Sequence, residues 1–133
     1  MPPRRARAFQ GVSDAELALL EQLWKAPSTP QELQAKLAEN GAERAYTTVQ
    51  TLLHRLLRKG FVARRRDGVA QIYSARVDRD ELLARHVSDL ADRLCAGSVS
   101  PLLLSLVKTK RFSKTDLSRF RALLDKDKDK ERP

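Results

Sequence analysis

The stretch Tyr46-Thr47-Thr48-Val49-Gln50-Thr51-Leu52-Leu53-His54-Arg55-Leu56-Leu57-Arg58-Lys59-Gly60 places apolar residues at Val49, Leu52, Leu53, Leu56 and Leu57, the spacing of a helix with one buried face. Gly60 stands where such a helix needs a residue that tolerates a left-handed backbone. The opposite side carries Thr47, Gln50, Thr51, His54, Arg55 and Arg58. From Arg44 to Arg66 there is no Asp or Glu, while Arg44, Arg55, Arg58, Lys59, Arg64, Arg65 and Arg66 are all cationic. With Arg4, Arg5 and Arg7 these cations outnumber the formal net charge of +9, so the rest of the chain is close to neutral. Positive charge gathered in this way suits phosphate neutralisation.

Upstream, Ser13-Asp14-Ala15-Glu16 has the form of a reciprocal cap and opens a first helix whose stripe is Leu17, Leu20, Leu23 and Trp24. Ala26-Pro27 stops it. Thr29-Pro30-Gln31-Glu32 starts a second helix with a capping hydroxyl, a proline at the first position and a glutamate at the third. Leu33 and Leu37 are its core residues, and Asn40-Gly41 ends it.

Downstream, Phe61 to Arg66 and Val69 to Ala75 flank Asp67-Gly68, a pair that favours the tight primed turns of hairpins. Three helices and then a hairpin is the winged helix order. Asp78-Arg79-Asp80-Glu81 opens a fourth helix with Leu83, Val87, Leu90 and Leu94 on one narrow seam. A fifth helix holds Val99, Leu102, Leu103, Leu106 and Val107, and Ser113-Lys114-Thr115-Asp116 opens a sixth with Leu117, Phe120, Leu123 and Leu124. Roughly 50 residues with so much apolar surface do not readily build an independent core, so self-association is expected. The expected fold class is mainly α, divided into a flexible basic arm (1–12), a winged helix-turn-helix domain (13–77), a three-helix dimerisation region (78–126) and a charged tail that frays (127–133).

At 133 residues, 41% hydrophobic and 32% charged, the composition is that of a folded helical protein and not a disordered one. A single cysteine, Cys95, excludes an internal disulfide. The basic start lacks the apolar core of a secretory signal, and no apolar run approaches the ~18 residues of a membrane span. A cytoplasmic protein without a membrane partner is the expectation.

The predicted third helix divides into a side that packs and a side that presents donors, acceptors and methyl groups. Near its start, Tyr46 opens the helix, Gln50 matches an adenine edge, and the methyls of Thr47, Thr48 and Thr51 match a thymine methyl. His54 shares that face, while Arg55 and Arg58 suit phosphates. Arg64, Arg65, Arg66, Gln71 and Tyr73 of the hairpin are expected along the adjoining backbone, where they set affinity more than specificity.

The segments VSDAELALLEQLW from Val12, YTTVQTLLHRLLRKGFV from Tyr46 and IYSARV from Ile72 resemble the penicillinase-repressor family of bacterial transcriptional regulators. The likeness runs from about Val12 to Leu124, and its most specific part is Tyr46 to Thr51 with Arg55-Leu56 and Lys59-Gly60 behind it. The resemblance implies a homodimeric repressor on a palindromic operator, its third helix in the major groove. Leu83, Val87, Leu90, Leu94, Leu102, Leu103, Leu106, Leu117, Phe120 and Leu124 would then build the dimer. Members that control antibiotic resistance are inactivated by a protease within the penultimate helix, typically at an Asn-Phe or similar bond. The matching bond here is Ser105-Leu106. Copper-responsive relatives carry paired C-terminal cysteines; with Cys95 alone, this chain is not expected to sense copper or to take any metal or cofactor.

Plainer readings compete. Arg64-Arg65-Arg66 alone also suits a strand edge protected by charge from aggregation. His54 and His86 fall on different predicted helices with no third ligand at metal spacing. Cys95 reads as a small packing residue and Trp24 as core. Arg4, Arg5 and Arg7 suit either a minor-groove arm or nonspecific attraction. The other class of function is a protein-interaction adaptor built on the same fold, which would expose apolar residues on the third helix. An enzyme is not expected: no nucleophile lies near a base, no carboxylates pair in an apolar setting, and no glycine loop cradles a phosphate.

Overall fold

The computed structural model describes residues 10–109 and 112–131. Arg4, Arg5 and Arg7 lie outside the described residues. The elements are α1 (Asp14–Lys25), α2 (Pro30–Glu39), α3 (Tyr46–Lys59), β1 (Val62–Asp67), β2 (Ala70–Ala75), α4 (Arg79–Leu94), α5 (Ser100–Lys108) and α6 (Lys114–Glu131). Three helices, a hairpin and three further helices give the mainly helical winged helix architecture.

Local chemistry explains where the helices start. The Ser13 hydroxyl accepts from the Glu16 amide at 3.1 Å, and the Glu16 carboxylate accepts from the Ser13 amide at 2.8 Å. Thr29 and Glu32 repeat this at the start of α2, with Pro30 as the first helical residue. Ser113 and Asp116 repeat it before α6. Each box satisfies two backbone donors that the first helical turn leaves over. α3 differs: it begins after Ala45 with no side-chain cap and no acid in its first turn. It ends at Gly60, whose φ of 81° is the left-handed value that glycine adopts without strain.

Long side chains from every element of the first unit close one core. Leu19, Leu20 and Leu23 of α1 meet Leu33 and Leu37 of α2 and Val49, Leu52, Leu53 and Leu56 of α3, with Phe61, Val62, Tyr73, Val77 and Leu82 completing the cluster. Each leucine so buried contributes roughly 1.5–3 kcal/mol relative to exposure. β1 and β2 pair antiparallel with Val62 opposite Ala75 and Asp67 opposite Ala70. Ser28, between α1 and α2, pairs with Tyr73 through both backbone bonds, at 3.0 and 2.8 Å. The base of the hairpin is therefore stitched to the helices on its β2 side.

Two details of the hairpin and α4 depart from the sequence reading. The turn residues are Gly68 and Val69 rather than Asp67 and Gly68, because Asp67 stays in register with Ala70. Gly68 has a positive φ and Val69 does not, the pattern of a turn with glycine at its first central position. The chain divides into two compact units at His86/Val87, inside α4. Leu82, which the seam of Leu83, Val87, Leu90 and Leu94 leaves out, is buried in the first core.

In the second unit, α5 has no buried residue. Leu94, Leu104, Leu106, Val107, Leu117, Leu123 and Leu124 are exposed. Leu90, Leu102, Leu103 and Phe120 are half-buried. α6 continues to Glu131, so the alternating Asp-Lys run expected to fray is helical. It contains no proline or glycine to stop a helix.

Candidate nucleic-acid interface

α3 is oriented by its buried row of Val49, Leu52, Leu53 and Leu56. That anchoring leaves Thr47, Thr48, Gln50, Thr51, His54, Arg55 and Arg58 exposed, with Tyr46 half-buried. The Thr51 hydroxyl donates to the Thr47 carbonyl at 3.0 Å, so its polar group is satisfied within the helix and its methyl is left for contact. Before α3, the Gln34 side-chain amide donates to the Arg44 carbonyl at 3.1 Å and ties the α2–α3 connection to α2.

The polar surface of α3 has two parts. Tyr46, Gln50 and His54, each one turn further along, line a cleft of about 440 Å³ closed on its other sides by Pro30 and Gln31 of α2 and by Arg64, Val69, Ala70, Gln71 and Tyr73 of the hairpin. Thr47, Thr51, Arg55 and Arg58 form the neighbouring row outside it. Among the described residues, no carboxylate lines the cleft.

The strand register also separates three consecutive arginines. Arg64 lies opposite Tyr73 and Arg66 opposite Gln71, on the sheet face shared with buried Val62, whereas Arg65 lies opposite Ile72 on the other face. All three are exposed. Val69, at the tip, is wholly exposed.

Two expectations need correction. Tyr73 is 5% exposed and packs in the core, so although it lines the cleft it offers far less surface than the arginines beside it. The bridge to Ser28 holds that part of β2 against the helices, which buries the ring. Lys59, counted with the basic footprint, donates to both Glu16 carboxylate oxygens at 2.9 Å and to the Gly11 carbonyl at 2.8 Å. Its charge is spent inside the domain. In the other direction, Gln31 and Val69 join the surface without having been singled out: a residue just inside a capped helix and a lone valine in a turn carry no chemical motif. Trp24 is half-buried, its indole donating to the Val77 carbonyl at 2.7 Å and its ring lying 4.7 Å below the Arg79 guanidinium.

Ser105 and Leu106 are exposed within helical α5. Cys95 is half-buried at the end of α4. Among the described residues, no helix is long and apolar enough to cross a membrane, and no three His, Cys, Asp or Glu side chains are grouped to hold a metal ion.

Residues 12–126 match the penicillinase repressor family. The chain is 22% identical over 121 residues to the penicillinase repressor of Bacillus licheniformis, covering 91% of this chain and 94% of that one. It is 35% identical over 100 residues to the transcriptional regulator BlaI of Mycobacterium tuberculosis, covering 73% and 72% respectively. It is also similar to the solution structure of the DNA-binding domain of the repressor BlaI, at 28% identity and a TM-score of 0.47, over 53% of this chain and 85% of that one. With the match running through both compact units, the chain belongs to the penicillinase repressor family.

Proposed function

We propose that the protein is a DNA-binding transcriptional repressor that acts as a homodimer, blocking a dyad-symmetric operator sterically. The observation that carries this reading is the exposed face of α3, without an acid in its first turn, beside a hairpin that places Arg64 in the same cleft and leaves Arg65 and Arg66 exposed. Such a face supplies donors for base edges and cations for phosphates. An adaptor surface would present apolar residues, and α3 exposes Thr, Gln, His and Arg instead.

Dimerisation is supported by the second unit, whose helices leave Leu94, Leu104, Leu123 and Leu124 at half exposure or more. Leu83, Val87, Leu106 and Leu117 are exposed too. Pairing two copies removes that surface from water and places two α3 helices on one duplex, about one helical turn apart. Release by an inactivating protease at Ser105-Leu106 follows the family pattern. Because the bond lies in a helix, α5 must open locally before a protease can hold it extended.

The test is a footprint of the full chain on genomic fragments that it retains against mixed-sequence competitor. Two protected half-sites related by a dyad support the reading. Uniform or absent protection overturns it.

A further inference from the structure

The start of α4 is tied to α1 and to the end of α3 by polar contacts outside the core. The Trp24 indole donates to the Val77 carbonyl at 2.7 Å, one residue before Asp78, whose carboxylate accepts from the Glu81 amide and opens the helix. The Arg79 guanidinium lies 4.7 Å over the same Trp24 ring and donates to Glu21 of α1 at 3.2 Å. Arg85 lies 5.6 Å over Phe61, the residue after the glycine that ends α3. We propose that Trp24 and Arg79 are positioning residues: they fix the direction in which α4 leaves α1, and this direction sets the half-site separation that the repressor accepts. This rests on the DNA-binding homodimer proposed above and adds the residues that select operator geometry.

The energetics favour orientation over stability as the role of this clasp. The Arg79 and Glu21 side chains are 61% and 45% exposed, and an ion pair so open to water contributes little to folding. Its geometry is nevertheless specific, because the attraction of a guanidinium to an indole lasts only while the cation stays over the ring. The ring is itself held by its bond to Val77, and Leu82, buried in the core, fixes the rotation of α4 about its own axis. From this root α4 runs to Leu94 with neither glycine nor proline, braced by Glu81 with Arg85 at 2.7 Å and Asp89 with Arg93 at 2.9 Å. The same helix carries Val87 and Leu94, the exposed residues given above to the dimer. Over a helix of about 24 Å, a tilt of about 10° at the root moves the far end by about 4 Å, more than the ~3.4 Å rise of one base pair. A small loosening of the clasp therefore changes which operator spacing fits.

The probe is the footprinted operator as a fluorescein-labelled duplex, unaltered or with one base pair inserted at the dyad, beside a duplex that carries a single half-site. One inserted pair separates the half-sites by about 3.4 Å and turns one against the other by about 35°. The full-length wild type should bind the spaced operator about tenfold more weakly, since its two α3 helices no longer engage together. Arg79→Gln should shrink that penalty to about threefold, while its thermal midpoint and its half-site affinity stay those of wild type. Arg79→Lys, which keeps a cation for the ring, should restore most of the penalty. Trp24→Phe, which keeps a ring but loses the donor to Val77, should lose part of it. Equal spacing penalties in wild type, Arg79→Gln and Trp24→Phe would overturn the positioning role, and so would a loss of half-site affinity as large as the loss of spacing discrimination. A wild type that binds both spacings alike would overturn it too, while leaving duplex binding intact. Failure of the wild type to bind the unaltered operator at low salt would overturn the DNA-binding reading, and the positioning role with it.

Discussion

Lys59, in the last turn of α3, holds both carboxylate oxygens of Glu16, in the first turn of α1, at 2.9 Å, with only 3% of the Glu16 side chain exposed. The same carboxylate closes the cap of α1 on the Ser13 amide. One acid thus starts a helix and fixes the end of the helix that carries the candidate interface.

Removing either partner strands the other. Lys59→Gln should destabilise the protein by about 2–3 kcal/mol, below the roughly 3–5 kcal/mol of a fully buried pair because the lysine stays partly exposed. Urea midpoints followed by circular dichroism check the loss. The salt slope of DNA binding should stay unchanged, because this cation is already neutralised.

Acid should undo the same contact. Burial raises the Glu16 pKa, but the hydrogen bonds from Lys59 and Ser13 and the charge of Lys59 outweigh it and leave the carboxyl below its ordinary value. A lowered folded value means that the stabilisation is complete above the unfolded glutamate range, near about pH 4.3, and is lost as pH falls through the folded value. Glu16→Gln should therefore be less stable than wild type at pH 7 and lose less stability between pH 5 and 3. A parallel decline in both proteins would show that Glu16 is not the titrating link.

Tyr73 provides a check on which hairpin residues face outward. Tyr73→Phe should bind DNA within about twofold of wild type, since the ring lies in the core. Tyr73→Ala should cost roughly 3–5 kcal/mol of stability, in the manner of other large aromatic truncations. A Phe variant that folds normally yet binds DNA tenfold more weakly would return the hydroxyl to the interface.

The helical half of the winged domain was legible because its signals are local. Ser13 with Glu16 and Thr29 with Glu32 are three residues apart, and the leucine spacing of α3 lies within one segment. Lys59 and Tyr73 were misread because their partners are distant: Glu16 lies 43 positions away, and Ser28 meets Tyr73 only once the hairpin folds back. A lysine among arginines looks like a phosphate contact until the acid that claims it is found. The hairpin turn moved by one residue because Asp-Gly and Gly-Val both satisfy a two-residue loop, and strand register chose between them. Leu82 was overlooked for a similar reason. Adjacent leucines at 82 and 83 offer two seams, and only the core of the first unit selects the former.

The roles assigned to α3 separate by readout. Arg58→Ala should weaken all duplexes alike, whereas Gln50→Ala should lose roughly 1–3 kcal/mol of preference at one operator position. Competition titrations against single-base operator variants distinguish them. Equal losses by both substitutions on operator and random DNA would remove Gln50 from base reading.

The most direct measurement is the affinity of the full chain for a retained genomic fragment, taken across a series of salt concentrations. A dimer neutralising ~4 phosphates per protomer predicts a slope of log K against log salt near −7. Affinity that barely changes with salt, or that is carried by a monomer, would contradict a paired α3-and-hairpin grip on the duplex.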